Sequence, residues 1–295
     1  MSGKEFFQDR YRQLGWKLRE VKLCQSIRIN NTNAKAKNIV ERLSQLGVQL
    51  EKIPFLNDGY WVVDSKVSPG ATAEYLLGLY SIQEAAAQIP VSLFRDLKGK
   101  KVLDIAAAPG GKTVQLADAM DNTGVIVALD VNKRRLTALA NHLERCHTAN
   151  TVVYLMDARR ATALGIKFDR VLVDAPCSGN LAGDRNWFKN RTLKDIQRNA
   201  SLQREILTIA NECLSNNGEL VYSTCSLEPE ENELNMDWSI KTLNLELQDI
   251  DCTGTAGLTQ VFGNKLDLTI TKCRRLWPDK TQGFFVAKLK KRHKQ

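Results

Sequence analysis

The chain has 295 residues, 43% of them hydrophobic, with a net charge of +9; it can bury one large core or a core plus a small appended domain, and its charge favours a polyanionic partner. Seven cysteines without a C-x-x-C pair and only three histidines argue against a zinc site or a disulfide framework, so we expect reduced thiols and no metal. Since no apolar run approaches the ~18 residues of a membrane span and no signal-peptide core is visible, we expect a cytoplasmic protein, taken to be a monomer, with no membrane contact.

Residues 1–24 predict a basic amphipathic helix. Apolar residues recur there at helical spacing, at Phe7, Tyr11, Leu14, Leu18 and Val21. The other faces carry positive charge, at Arg10, Arg12, Lys17, Arg19 and Lys22.

Residues 25–68 predict a small α+β unit of the RRM-like kind. A strand over 26–30 precedes a helix from Ala34 to Leu46, and further strands are predicted over 51–55 and 59–63. A basic unit beside a ligand site favours contact with RNA.

Residues 69–295 predict one α/β domain. Ser68, Pro69 and Gly70 form a candidate linker at its start. A helix is predicted over 71–94, broken near Pro90, and a later one is predicted to end at Gly218 in a left-handed cap. Apolar strands are predicted over 102–105, 125–130, 152–156, 171–175, 219–223 and 283–291. Strands alternating with helices predict a doubly wound, mostly parallel sheet, which binds ligands beyond the carboxyl ends of its strands.

The turn after the first of these strands is predicted to bind a small anionic group. Small residues from Ala106 to Ala108 and the Gly110-Gly111 pair leave backbone amides free to lie against a ligand, at the start of a helix. A P-loop is disfavoured because Ala106 stands where its first glycine belongs. The dinucleotide fingerprint does not fit, since the glycines are adjacent and follow Pro109.

Acidic residues follow several of the strands by one step and predict a nucleoside pocket. Asp130 can accept hydrogen bonds from ribose hydroxyls, Arg135 is one helical turn further on, and Asp157 is in reach of an adenine edge. A single aspartate would more often cap a helix or turn. Asp104 and Asp174 belong to the same predicted edge, so the group as a whole favours a binding site.

Two cysteine segments, DAPCSG at 174–179 and YSTCSLEPEENE at 222–233, carry the chemistry. Cys177 and Cys225 each lie in a polar loop just after a strand, where a thiolate can be reached and stabilised, and two such thiols suggest covalent catalysis with separate duties. The residues alone do not choose which of the two sulfurs is the nucleophile. The remaining cysteines are interpreted as small hydrophobic residues: Cys24, Cys146, Cys213, Cys252 and Cys273.

These segments resemble a known family. IAAAPGGKT at 105–113 and the two cysteine segments are similar to the cofactor loop and the fourth and sixth motifs of the RsmB/Nop2/Sun family of RNA cytosine-5 methyltransferases. Further matches at 28–30, 80–86 and 275–289 extend the likeness over nearly the whole chain, although Asp279 stands where histidine is expected. The family implies a class I, Rossmann-like methyltransferase fold with a mostly parallel seven-stranded sheet.

The resemblance also implies site roles and the cofactor S-adenosylmethionine. Asp130 and Arg135 would lie near its ribose, Asp157 near its adenine and Asp174 at the reacting centre, with its methionine end enclosed by Ala106, Ala107, Ala108, Pro109, Gly110, Gly111 and Lys112. Cys225 would attack C6 of cytosine, Asp174 would act at N3, and Cys177 would assist release.

The RNA substrate is the least determined expectation. By analogy within the family, the compact chain favours transfer RNA as partner. Ribosomal RNA and a non-catalytic RNA-binding assembly factor remain as alternatives. Adenine N6 methylation is disfavoured because residues 174–177 lack the aromatic residue of a D-P-P-Y motif.

Overall fold

The computed structural model describes residues 2–18, 21–33 and 35–292. The predicted places of Arg19 in the basic helix, of Ala34 at a helix start and of the last residues of the basic tail lie outside these ranges. The helices are α1 Lys4–Gln13, α2 Ala36–Gln45, α3 Ala73–Leu76, α4 Ile89–Ser92, α5 Gly111–Ala119, α6 Lys133–Arg145, α7 Trp187–Asn190, α8 Leu193–Cys213 and α9 Glu233–Thr242.

The strands form a small N-terminal sheet, a large central sheet and one hairpin. The N-terminal sheet contains β1 Ser26–Ile29, β2 Val48–Lys52, β3 Gly59–Ser65 and β4 Tyr80–Ile82. The central sheet contains β5 Lys101–Ile105, β6 Val125–Asp130, β7 Thr151–Leu155, β8 Phe168–Asp174, β9 Leu214–Thr224, β10 Leu245–Gln248, β11 Thr255–Ala256, β14 Arg274–Leu276 and β15 Phe284–Lys291. The hairpin consists of β12 Gln260–Val261 and β13 Asn264–Lys265.

The central sheet confirms the predicted α/β fold with a mostly parallel core. Its strand order is β11-β14-β15-β9-β8-β5-β6-β7, and β10 pairs with β15. Neighbours from β7 to β9 run parallel, whereas β15 runs antiparallel to β9. In the described part of the chain the sheet has nine strands where seven were expected, because the short strands β10 and β11 extend it. The chain order reverses between β5 and β8, which is where ligands bind in such sheets.

The apolar runs form strands because both faces of the sheet are covered. Leu103 and Ile105 in β5 pack into one core cluster, and Val102 packs into another on the opposite face. Successive side chains of a strand point to opposite faces, so a strand with two covered faces is apolar throughout.

The N-terminal unit extends past the boundary predicted at residue 68. β4 pairs antiparallel with β1 inside the segment predicted as helix 71–94, so that prediction is wrong over Tyr80–Ile82. The reason is local: Gly78, with φ of +68°, ends the turn after α3, and the following residues gain ladder hydrogen bonds from β1. The RRM-like character of this unit stays a prediction.

The predicted helix end at Gly218 is also wrong. α8 ends at Cys213 and β9 begins at Leu214, which pairs with Phe168. Gly218 does not adopt a left-handed conformation. The next paired position is Glu219 opposite Arg170, so the residues between Leu214 and Glu219 form an irregularity within the strand. The Asn-Asn-Gly sequence in this irregularity resembles a helix end, which explains the wrong prediction.

Helix α1 is shorter than the predicted basic helix and packs against the α/β domain. The ring of Phe7 lies 4.6 Å from that of Trp187, and Tyr11 is fully buried beside them. Arg10, expected on an exposed face, is buried and pairs with Glu228 and Glu230, each at 2.7 Å. The apolar stripe and this ion pair therefore fix the N-terminus to the segment around Glu228.

Replacing Arg10 with alanine is expected to lower the free energy of unfolding by on the order of 3 kcal/mol, because it leaves the fully buried Glu228 without its cation. Urea unfolding at pH 8 measures the loss. Arg12→Ala is the matched control, since Arg12 pairs with Asp9 in solvent and its loss should cost less than about 1 kcal/mol. Equal losses for the two variants would contradict a buried anchor.

Within the described ranges, no helix combines the length and apolar character needed to cross a membrane.

Candidate active site

The carboxyl ends of the parallel strands bring the predicted site residues to one edge of the sheet. Asp130 at the end of β6 accepts a hydrogen bond from the Ala108 amide at 3.3 Å. Asp174 at the end of β8 lies 2.7 Å from Nζ of Lys112. The glycine turn after β5 therefore lies between the two acids, as the strand order predicts.

Two residues of the turn have a left-handed backbone conformation, which residues with a side chain rarely adopt. Ala106 has φ of +62° and Gly110 has φ of +104°, both in the left-handed region. A Cβ added to Gly110 would lie 2.8 Å from Cδ1 of Leu139. Glycine is thus required at this position, and α5 begins at the next residue with its N-terminus at the same edge.

Asp130 and Arg135 come together as predicted. Asp130 is 3% exposed and accepts from the Asn132 amide at 2.8 Å, and the Asn132 side chain caps α6. The Arg135 guanidinium donates to the Ala108 carbonyl and lies 3.4 Å from Asp130. These contacts join the start of α6 to the glycine turn.

Asp157 follows β7 but is engaged locally. It accepts from the Arg159 amide at 2.9 Å and from the Arg159 guanidinium at 2.7 Å, and this lowers the pKa of Asp157. It thus acts as the cap of the 3-10 turn Ala158–Leu164. Its predicted contact with adenine stays a prediction.

Asp104, buried at the end of β5, carries an unpaired oxygen. Thr113 donates to Oδ2 at 2.7 Å, whereas Oδ1 has no hydrogen-bond partner among the residues that the structure describes. Burial raises the pKa of Asp104 to about 7. A buried carboxylate oxygen without a partner at a ligand site is suited to bind a cationic or hydrogen-bond-donating group.

Asp104→Asn is expected to stabilise the protein at pH 8 by on the order of 1 to 3 kcal/mol more than at pH 5. The folded-state pKa of about 7 lies above the ordinary 3.8, so the folded protein holds the extra proton between these values. Wild-type stability from this group therefore falls as pH rises through that window, and asparagine does not titrate. Urea unfolding of both proteins at pH 5 and pH 8 measures the difference, and a pH-independent difference would contradict it.

The two loop cysteines meet at this edge. Sγ of Cys177 lies 3.3 Å from Sγ of Cys225. Their loops leave the neighbouring parallel strands β8 and β9 at matching positions, with Asp174 opposite Ser223. Both residues are partly exposed, so the predicted convergence of the two thiols on an accessible edge is observed.

The surroundings distinguish the two sulfurs. The hydrogen bond with Cys177, in which either sulfur can be the donor, lowers the pKa of Cys225 against the opposing effect of burial, and Lys112 acts in the same direction. The same hydrogen bond and burial raise the pKa of Cys177 well above its usual value. These opposite pKa directions favour a thiolate at Cys225 and a protonated Cys177.

Lys112 and Ser223 position Asp174. Lys112 pairs with one of its carboxylate oxygens, and the Ser223 hydroxyl donates to the other at 2.7 Å. Of the residues expected around the methionine end of the cofactor, Lys112 thus directs its charge at the acid of the reacting centre. Asp174 keeps about a third of its side chain exposed.

Sequence reasoning missed a second group of residues behind the cysteines. The buried Glu231 carboxylate accepts from Ser178 and Ser226, and Asn180 donates to the Cys225 carbonyl at 2.6 Å. Glutamate is usually exposed, so its position in a charged run gave no signal. The serine that follows each cysteine was the available signal, because a small donor beside each thiol suggests a shared acceptor.

Three of the other cysteines are buried in the core. Cys146, Cys213 and Cys273 are buried in apolar clusters, which fits their interpretation as small hydrophobic residues. Within residues 2–18, 21–33 and 35–292, no group of three or more His, Cys, Asp and Glu could hold a metal ion.

Comparison with known families places most of the chain in one group of proteins. Residues 92–290 match the family described as 16S rRNA methyltransferase RsmB/F. The chain belongs to the RsmB/F family. Residues 3–85 match the N-terminal domain of the 16S rRNA methyltransferase RsmF, so the predicted resemblance is confirmed over nearly the whole chain.

Individual RsmB/F relatives are longer than this chain. The mouse protein named 28S rRNA (cytosine-C(5))-methyltransferase is 37% identical over 276 residues, which are 90% of this chain and 35% of that protein. Ribosomal RNA small subunit methyltransferase F of Vibrio cholerae is 37% identical over 279 residues, 91% of this chain and 58% of its own length. The chain thus spans between about a third and three fifths of these relatives.

Solved structures confirm the RsmB/F fold over the full length. A methyltransferase homolog from Pyrococcus horikoshii is 38% identical with a TM-score of 0.90, covering 98% of this chain and 95% of that one. NSun6 from the same organism, solved with SFG, is 24% identical with a TM-score of 0.80, covering 99% of this chain and 95% of that one, and shows the likeness of the fold.

Proposed function

We propose that this chain transfers a methyl group from S-adenosylmethionine to C5 of cytosine in ribosomal RNA. The 3.3 Å between the sulfurs of Cys177 and Cys225 is the observation that carries the proposal. The names of the mouse and Vibrio cholerae relatives support ribosomal RNA, and they favour it over the transfer RNA that the size of the chain suggested.

The residues at the edge of the sheet fit the donor, which RsmB/F methyltransferases use. The unpaired Oδ1 of Asp104 matches an ammonium group, and Asp130 is an acceptor for ribose hydroxyls. We assign the methionine end to residues 106–112, the ribose to Asp130 and Arg135 and the adenine side to Asp157. When bound, S-adenosylmethionine supplies an electrophilic methyl group.

Cytosine C5 is a poor nucleophile, so the pyrimidine must first be activated. In the proposed reaction the Cys225 thiolate adds to C6, which forms the carbon–sulfur bond and makes C5 electron-rich. In its protonated form, Asp174, held by Lys112 and Ser223, donates a hydrogen bond to N3 as negative charge builds on the ring.

Cys177 serves the second half of the reaction. After transfer, C5 carries both a proton and the methyl group, and loss of that proton breaks the bond from C6 to Cys225. The hydrogen bond to Cys225 is the main cause of the raised pKa of Cys177, and this bond is lost once Cys225 is joined to C6. Cys177 then becomes easier to deprotonate and can assist removal of the C5 proton.

The target cytosine has to leave its stack, because a thiol cannot reach C6 at bonding distance within a helix. The basic chain supports contacts to the RNA backbone. From the sequence we also propose a cytoplasmic monomer, and sedimentation of the purified chain tests its monomeric state.

Bisulfite sequencing of total RNA from cells with and without the gene tests the substrate. We expect at least one cytosine of ribosomal RNA to lose its protection when the gene is removed. Loss confined to transfer RNA would overturn the substrate part of the proposal. Absence of labelled methyl transfer to any RNA by the purified chain would favour a non-catalytic RNA-binding factor.

A further inference from the structure

A single buried carboxylate joins the two loops that carry the cysteines. Glu231 accepts from the Ser178 amide at 2.9 Å and from the Ser178 hydroxyl at 2.5 Å. It also accepts from the Ser226 hydroxyl. Ser178 and Ser226 are the residues that directly follow Cys177 and Cys225, so one side chain holds the positions next to both sulfurs.

The rest of the Glu231 environment fixes the glutamate itself. Gln203 of α8 donates to the carboxylate at 3.2 Å and to the Pro176 carbonyl, just before Cys177, at 2.9 Å. The Tyr222 hydroxyl donates to the Glu231 backbone carbonyl at 2.6 Å. Both the backbone and the side chain of Glu231 are therefore tied to the strand and helix that flank the site.

Glu231 differs from two neighbours of the same kind. Glu228, Glu231 and Glu233 lie within six residues and are all fully buried. Glu228 pairs with Arg10, and Glu233 pairs with Arg275. The side-chain donors to Glu231 named above are neutral groups of the cysteine loops and of α8, whereas the other two glutamates are balanced by arginines.

We propose that Glu231 is a positioning residue that sets the separation and orientation of the Cys177 and Cys225 sulfurs. It does so by accepting hydrogen bonds from Ser178 and Ser226. The inference rests on the proposed function only in assigning a reaction to the two sulfurs. The placement of the two sulfurs by these hydrogen bonds is a property of the folded chain and can be measured without methyl transfer.

The expected effect follows from how strictly the chemistry depends on placement. A shift of a reacting group by about 1 Å can cost about 100-fold in rate. Glutamine at position 231 keeps the shape of the side chain but turns an NH2 group toward hydroxyl and amide donors, so it leaves donors unpaired. The two loops should then move relative to one another.

The test combines dithiol capture with kinetics on Glu231→Gln. Phenylarsine oxide binds two thiols only when they are adjacent, so its capture by the wild-type chain should be lost in Cys225→Ala. We expect Glu231→Gln to weaken this capture at least about tenfold and to lower kcat about 100-fold, with KM for S-adenosylmethionine changed less than about threefold.

Glu228→Gln and Glu233→Gln are the matched controls. Each disturbs a buried carboxylate of the same segment, so each should lower thermal stability while keeping wild-type capture below its unfolding temperature. Wild-type capture in Glu231→Gln, or the same weakening in all three variants, would overturn the proposal.

Ser226→Ala provides a second route should Glu231→Gln fail to fold. It leaves the carboxylate in place and removes one of its donors, so capture should weaken by a smaller factor than in Glu231→Gln, and unchanged capture would count against the proposal. If Glu231→Gln and Ser226→Ala weaken capture and the two controls keep it, while the wild-type chain methylates no RNA, the proposed function fails and the positioning role stands.

Discussion

Cys225→Ala is expected to abolish methyl transfer, with a loss of at least about 10⁵ in kcat. The thiolate is the group that makes C5 reactive, and alanine leaves nothing at that position to add to C6. The hydrogen bond between Cys225 and Cys177 lowers the pKa of Cys225, which favours its thiolate form for this role. Transfer of labelled methyl groups to ribosomal RNA under single-turnover conditions measures the effect.

The control for this variant is Cys213→Ala. Cys213 ends α8, is 2% exposed, and has a pKa raised by burial, so its thiol is a packing group at the far end of the sheet from the site. We expect it to retain the wild-type rate below its unfolding temperature. Cys225→Ala should still bind S-adenosylmethionine with wild-type affinity. Retained activity in Cys225→Ala would reverse the assignment of the nucleophile.

The sequence predicted the fold best for the strands that are buried on both faces of the central sheet. The apolar run of Val102, Leu103 and Ile105 predicts a strand buried on both faces. The end of such a strand is visible in the sequence, because small residues and glycines follow the apolar run. The convergence of Asp130, Asp174 and both cysteines at one edge followed from strand order alone. Parallel pairing of β8 with β9 in register then placed the two cysteine loops side by side.

Predictions failed where local signals competed with tertiary contacts. Residues 80–82 were predicted as helix, but their pairing with β1 depends on a strand about fifty residues earlier in the chain. Arg10 was predicted as surface charge, although Glu228, its buried partner, is 218 residues away. A pattern within one segment carries no information on such partners, which is also why Glu231 was missed.

Cys177→Ala is expected to accumulate a covalent complex between the chain and RNA. Cys225 can still add to C6 and methylation can follow, but without the neighbouring thiol the C5 proton is removed slowly and the bond to C6 persists. The complex should survive denaturing electrophoresis and contain one chain per RNA. Labelled S-adenosylmethionine should mark it, since the trapped pyrimidine already carries the methyl group.

The double variant Cys177→Ala, Cys225→Ala separates the two assignments of the sulfurs. It should form no covalent complex, because the trapped bond belongs to Cys225. A covalent complex formed by Cys225→Ala instead would show that Cys177, which directly follows Pro176, is the nucleophile. Alkylation adds an independent check: Cys177→Ala removes the hydrogen bond that lowers the pKa of Cys225, so Cys225 should react more slowly with iodoacetamide at pH 7 than in the wild-type chain.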